Sequence, residues 1–191
     1  SGLAAAATAE LGERAGWLRG RRDRSCLERS AHVLAGPAVL PLPLPVAPGT
    51  VRTVVDVSWE IGQLLGAGAT SWLGEYLSSG AASVVVATVA TVPGIRRLEV
   101  VVDLLGADRV VAAVLGLPAK RWDTSLVSRA APALRALGEA GRVVRVPPCR
   151  RLVRTGLDTT PLPPELVRAA GDLLDLADAS GRALITQGGR R

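Results

Sequence analysis

A few places in this chain carry residues whose types and spacing could do chemistry. Asp56 closes the run Val54-Val55-Asp56-Val57. A carboxylate at the end of a buried strand can hold a magnesium ion through water, beside a nucleotide's phosphates. The more ordinary reading is a turn or helix-capping aspartate, or residues 51–62 being a helix. Thr88-Val89-Ala90-Thr91-Val92-Pro93-Gly94 places two hydroxyls just before a proline. Such hydroxyls cap helices, and at a helix start they can also meet an anion. Pro147-Pro148-Cys149-Arg150-Arg151 could frame a flat base, or simply end a strand rigidly. Gly66-Ala67-Gly68-Ala69-Thr70-Ser71 has the glycine content of a phosphate loop, but it lacks the lysine and does not directly follow a strand. His32 with Ser25, Ser30 or Cys149 would be a nucleophile pair. No spacing supports it, and a lone histidine is usually structural.

Scarcity excludes more. One histidine and two cysteines, Cys26 and Cys149, cannot make the usual zinc set. Two such cysteines read as reduced thiols of a cytoplasmic protein. No charged, apolar and small-residue leader opens the chain, and no apolar run approaches the roughly 18 residues of a membrane span. The single lysine, Lys120, lies in Leu117-Pro118-Ala119-Lys120-Arg121, which is not a glycine-rich phosphate turn. The formal net charge is +6 and the pI about 10.8. Arginines gather at Arg19, Arg21, Arg22 and Arg24, and again at Arg145, Arg150, Arg151 and Arg154. Both groups could contact nucleic-acid phosphates without sequence preference. GC-rich coding produces the same arginine excess, and solvated surface is the ordinary fate of such groups. With four tryptophans, one tyrosine and no phenylalanine, single-strand stacking has little support.

These residues need elements to position them. At 191 residues and 48% apolar, the chain can bury a sizeable core. Leu3, Ala7, Leu11, Ala15 and Leu18 stand at helical spacing, and residues 25–35 are also helix-compatible. Residues 1–35 are thus expected to be a helical N-terminal segment. Pro43, Pro45 and Pro48 enforce extended chain. Residues 51–57 are β-branched and read as a strand. Helical chain over 59–79 is broken by Gly66 and Gly68. Strands are expected at 83–88, 108–115 and 142–146. Helices are expected from Pro93 to Leu105, from Thr124 to Leu137, and from Glu165 to Asp178 after Pro163-Pro164. Within residues 36–178, the order from residue 51 alternates strand and helix, with near-continuous apolar strands. That pattern predicts an α/β domain with a mostly parallel sheet and helices on both faces, in three layers. Residues 179–191 read as a flexible C-terminal tail.

In order and texture, residues 36–178 resemble a MinD/ParA-type P-loop ATPase, in its later half. The resemblance rests on Val54-Val55-Asp56, Ser83 to Thr88, Arg109 to Gly116, and Gly141-Arg142-Val143-Val144-Arg145-Val146-Pro147. Arg150-Arg151-Leu152 and Leu162-Pro163-Pro164 before a last helix complete it. It implies that Asp56 is the acidic residue on the magnesium side and that Pro147 belongs to the adenine-side loop. ATP and magnesium are the implied cofactors, and a homodimer or a recruited partner protein the implied assembly. The phosphate loop is absent from the chain, Gly116 stands where an asparagine commonly reads adenine, and no basic membrane-targeting tail follows.

The expected function is a partial or degenerate MinD/ParA-like module. It would bind and position partners in septum placement, chromosome partition or secretion-apparatus assembly, and is expected to be an ATPase only if a phosphate loop lies upstream of it. Two alternatives stand beside it. One is a basic protein bound non-specifically to nucleic acid through Arg145, Arg150, Arg151 and Arg154. The other is an α/β enzyme whose site the sequence does not display. In the family, the phosphate-loop strand lies between the strands matching 51–57 and 83–88. Those two segments are therefore expected either to pair directly in parallel, or to flank a slot filled by another segment or a second copy.

Overall fold

The structure, a computed structural model, describes residues 7, 9–45, 48–50, 52–80, 82–116, 132–158 and 160–188. It forms two compact units. One comprises 1–78 with 151–160, the other 79–150 with 161–191.

The first unit opens on an antiparallel meander: β1 (Ala9–Arg14), β2 (Trp17–Arg22) and β3 (Ser25–Ser30). This corrects the helices expected within 3–18 and 25–35; residues 3–6 and 8 lie outside the described ones. The local reason is turn chemistry. Ala15 and Gly16 both take positive φ, 50° and 82°, the pattern of a tight hairpin turn whose twist suits antiparallel strands. Gly12, also at positive φ, accompanies a register shift between Glu10 and Gly12 in β1. Asp23 takes φ 51° in the second turn. The expectation is of one mostly parallel sheet, so this separate antiparallel sheet is an addition to it.

The proline-rich stretch after the meander is held by two indoles. Trp17 Nε1 donates to the Leu42 carbonyl at 2.8 Å and Trp72 Nε1 to the Pro41 carbonyl at 2.9 Å. Residues 52–57 form no strand, against expectation. β-Branched residues favour a pleated, half-buried surface, but a strand also needs a ladder partner. Here Val54 and Val55 are exposed. The broken helical stretch is as expected: α1 (Ile61–Ala67), a 3-10 turn (Gly68–Thr70) and α2 (Trp72–Ser78). Gly74 lets the two helices meet, since a Cβ there would lie 2.6 Å from the Leu64 carbonyl oxygen.

The second unit contains a three-stranded parallel sheet in the order β4 (Val84–Val89), β5 (Val110–Leu115), β6 (Val143–Val146). The helices are α3 (Val92–Leu105), α4 (Pro132–Glu139) and α6 (Pro164–Gly188); the short α5 (Arg150–Thr155) lies between β6 and α6 in the chain. Residues 117–131 lie outside the described ones, and with them Lys120 and the first half of the helix expected from Thr124. The last helix continues past Asp178 to Gly188, into the stretch read as a tail.

Val110 to Val114 are buried without interruption, so both faces of β5 are covered. This is why the run shows no period of two. On α3, Ile95, Leu98, Val102 and Leu105 form the buried stripe, joined by Leu134 and Leu137 of α4. α6 packs on all three strands. Full burial of each such Leu or Val contributes roughly 1.5–3 kcal/mol. β4 alternates half-buried and exposed residues, with Val85 and Val89 exposed. Among the described residues it pairs only with β5. The expected pairing of 51–57 with β4 is absent, because 52–57 form no strand, and no described segment fills a slot beside β4. At the amino end of the sheet, Arg142 Nη1 donates to the carbonyls of Ala107 and Asp108, fastening the turn after α3.

Candidate functional site

Parallel sheets present ligands with the carboxyl ends of their strands. In this sheet the register aligns those ends. Val89 lies opposite Leu115, and Leu115 opposite Val146. The next row is therefore Ala90, Gly116 and Pro147. The ladder continues into it, with Ala90 N donating to the Leu115 carbonyl at 2.7 Å. All three residues are half-buried. Gly116 has φ 151°, and a Cβ there would lie 2.8 Å from Ala90 Cβ. The row is thus a floor of two small residues and one proline ring. Such a floor accepts a flat ring. Arg145, exposed, precedes it on β6, and Arg150, exposed, follows it at the start of α5.

The β4–α3 turn borders this row and is built tightly. Thr91 caps α3, its Oγ1 accepting from Gly94 N at 3.2 Å. Thr88 Oγ1 donates to the Gly94 carbonyl at 2.8 Å. Both hydroxyls therefore serve the turn, which is the capping role open to them from the sequence. Pro93 fits the first turn of α3, where its missing N–H costs nothing.

Asp56 lies in the strandless stretch 52–57 of the first unit, exposed, and not at the end of a strand of the parallel sheet. Among the described residues no group of three or more His, Cys, Asp or Glu is placed to hold a metal ion. The residues present do not fit the magnesium side that the resemblance implies. Pro147 directly follows β6. Gly116, by sequence only a turn without side-chain chemistry, is the centre of the row. Its missing side chain is the feature that matters, and only the register reveals it.

The other candidates resolve into structural parts. In the Gly66–Ser71 segment, Thr70 Oγ1 donates to the Ala67 carbonyl and Ser71 is buried between the helices. Ser30 Oγ donates to the His32 carbonyl at 2.6 Å, which engages the backbone of His32; the imidazole is exposed. Cys149 belongs to the other unit.

The two arginine groups meet at Asp158, a juxtaposition with no sign in the sequence. Arg22 Nη1 donates to the Asp158 carbonyl at 3.3 Å, and Arg151 Nη1 donates to Asp158 Oδ1 at 2.6 Å. The Thr160 N–H adds a bond to the same carboxylate at 2.9 Å. Arg151 is therefore engaged inside the first unit. Arg154 is exposed on α5. Arg145, Arg150, Arg151 and Arg154 are divided between the two units.

Arg151, then the Thr160 N–H, holds the Asp158 carboxyl below its ordinary value. The unfolded chain then binds more protons than the folded chain in the acidic range. The stabilisation is present above the unfolded value of about 3.9 and is lost as pH falls through the folded value. Asp158→Asn should therefore be less stable than the parent at neutral pH, with the gap closing below pH of about 3.9. Thermal unfolding of both chains at several pH values checks this; a gap that is constant with pH would contradict it.

Set against known proteins, the chain matches no family model, no curated protein and no solved structure.

Proposed function

We propose that this chain is a MinD/ParA-like binding module that takes the base of an adenine nucleotide on the row Ala90–Gly116–Pro147 and does not hydrolyse it. The observation that carries the reading is that row, two small residues and a proline in register at the carboxyl ends of three parallel strands. The ring would lie over Gly116 and against the face of Pro147. The three-layer, P-loop-like architecture expected from the sequence belongs to this proposal, as do a homodimeric or partner-bound state and a role in septum placement, partition or secretion-apparatus assembly.

The phosphate side has no such support. No lysine stands in a glycine-rich turn, and Asp56 is not on the sheet. Phosphoryl transfer depends on charge stabilisation by those groups. Binding should therefore be carried by the base. Adenosine, ADP and ATP should bind the full chain with affinities within about tenfold of each other, a spread of about 1.4 kcal/mol, and magnesium should change little. Calorimetric titration with each ligand, alongside a phosphate-release assay, tests this. ATP turnover above a no-protein control that Asp56→Ala abolishes would overturn it, as would binding of none of the three.

A further inference from the structure

The stretch that follows the meander alternates leucine with proline, Leu40-Pro41-Leu42-Pro43-Leu44-Pro45. Proline fixes its own φ and drives the residue before it out of the helical region. The alternation therefore favours a polyproline-II helix, which forms no internal hydrogen bonds and leaves its carbonyls free to accept. Leu40 has the matching extended backbone, φ −65° and ψ 122°.

Two consecutive carbonyls of this stretch are taken by indoles. Pro41 accepts from Trp72 Nε1 at 2.9 Å and Leu42 from Trp17 Nε1 at 2.8 Å. The Pro41 ring lies against Gly16, where a Cβ would come within 3.0 Å of Pro41 Cγ. Gly16 closes the hairpin turn, Trp17 opens β2 and Trp72 opens α2, so a turn, a strand and a helix of one unit converge on the stretch. Leu40, Pro41 and Leu44 are half-buried, whereas Leu42, Pro43 and Pro45 are exposed. In a helix of three residues per turn, Pro41 and Leu44 share a side, and that is the covered one. Among the described residues no backbone–backbone hydrogen bond ties 41–45 to the rest of the chain. What holds the stretch is therefore what holds a bound peptide: indole donors on its carbonyls and a glycine under a proline ring. None of these three contacts uses a leucine side chain.

We propose that Gly16, Trp17 and Trp72 form a binding site for a polyproline-II segment of a partner protein, and that residues 40–44 occupy it in cis until such a segment displaces them. Aromatic-lined surfaces take proline-rich segments because the ligand is already extended and loses little entropy on docking. The chain's own stretch states the partner's chemistry: apolar residues alternating with proline, without charge from Pro37 to Pro45. The tethered copy acts at an effective concentration on the order of millimolar, so a free segment competes poorly until the tethered one is weakened. The proposal is independent of the nucleotide row, which belongs to the other unit.

The probe is a fluorescein-labelled peptide with the sequence of residues 37–45, titrated into the full chain and followed by anisotropy. Pro41→Ala takes the ring off Gly16 in the tethered copy and leaves both indoles in place. It should bind the peptide about tenfold more tightly than the parent, because more of the chain has the site open. Trp17→Phe or Trp72→Phe, added to Pro41→Ala, keeps an aromatic ring and deletes the N–H donor, and each should abolish most of that gain. The same peptide with alanine in place of its prolines should not compete. On the parent itself, unlabelled peptide at roughly millimolar concentration should shift the indole N–H resonances of Trp17 and Trp72, a reading that needs no substitution. Equal affinity of the parent and Pro41→Ala would overturn the proposal. So would binding that survives both tryptophan changes, competition by the alanine peptide, or indole resonances that stay unmoved, which would make the stretch a structural staple only.

Discussion

Replacing Gly94 by alanine is expected to destabilise the unit containing the parallel sheet by about 3 kcal/mol, a large share of the roughly 5–15 kcal/mol that holds a domain folded. A Cβ at this position would run into the Val89 carbonyl oxygen and would lie 2.9 Å from Thr88 Oγ1. The first contact is with backbone and cannot be relieved by a rotamer change. Relief requires α3 to move off β4, and that movement also loosens the Thr88 and Thr91 hydrogen bonds at 2.8 and 3.2 Å. Thr88→Val separates the two effects. It deletes one hydrogen bond without adding an atom above the turn, and should cost about 1 kcal/mol. Denaturant unfolding followed by far-ultraviolet circular dichroism reads both. Equal costs for the two variants would show that the hydrogen bond, and not the close approach, fixes the turn.

Gly116→Ala should weaken adenosine binding at least tenfold, or about 1.4 kcal/mol, and should also cost about 2 kcal/mol of stability. Both effects come from the same methyl group. It stands on the floor where the ring would lie, at 2.8 Å from Ala90 Cβ, and at a φ of 151° that side chains rarely adopt. Combining it with Ala90→Gly removes the clash but leaves the methyl on the floor. The double variant should therefore regain much of the lost stability and little of the lost binding. Recovery of both together would place the ligand elsewhere. Urea midpoints and calorimetric titration of the two variants make the comparison.

The parallel unit is legible in the sequence because its signals are local and agree with one another. Val110 to Val114 are apolar without break, Thr91 and Pro93 mark the start of α3, and Pro164 opens α6. The meander is not legible, because alanine and leucine spacing over residues 3–18 satisfies a helical period. What decides the matter is the positive φ at Gly12, Ala15 and Gly16, and an alanine in a left-handed turn announces nothing in the sequence. The 51–57 stretch misleads for the opposite reason. Its β-branched residues signal a local preference, whereas a strand is a property of two segments. The same limit hides the meeting of Arg22 and Arg151 at Asp158, which joins chain positions far apart. At the candidate site, the position just past β6 points to Pro147 by its residue type, while Gly116 has no side chain to mark it. Register, not residue type, puts Gly116 between Ala90 and Pro147.

The central claim is that an adenine ring rests on that row. An amide chemical-shift titration of the isotope-labelled full chain with adenosine tests it most directly. Saturable shifts should concentrate at Ala90, Thr91, Gly116, Val146 and Cys149, with the meander amides from Ala9 to Ser30 unmoved. Shifts confined to the meander or to residues 52–57, or none up to millimolar adenosine, would contradict it.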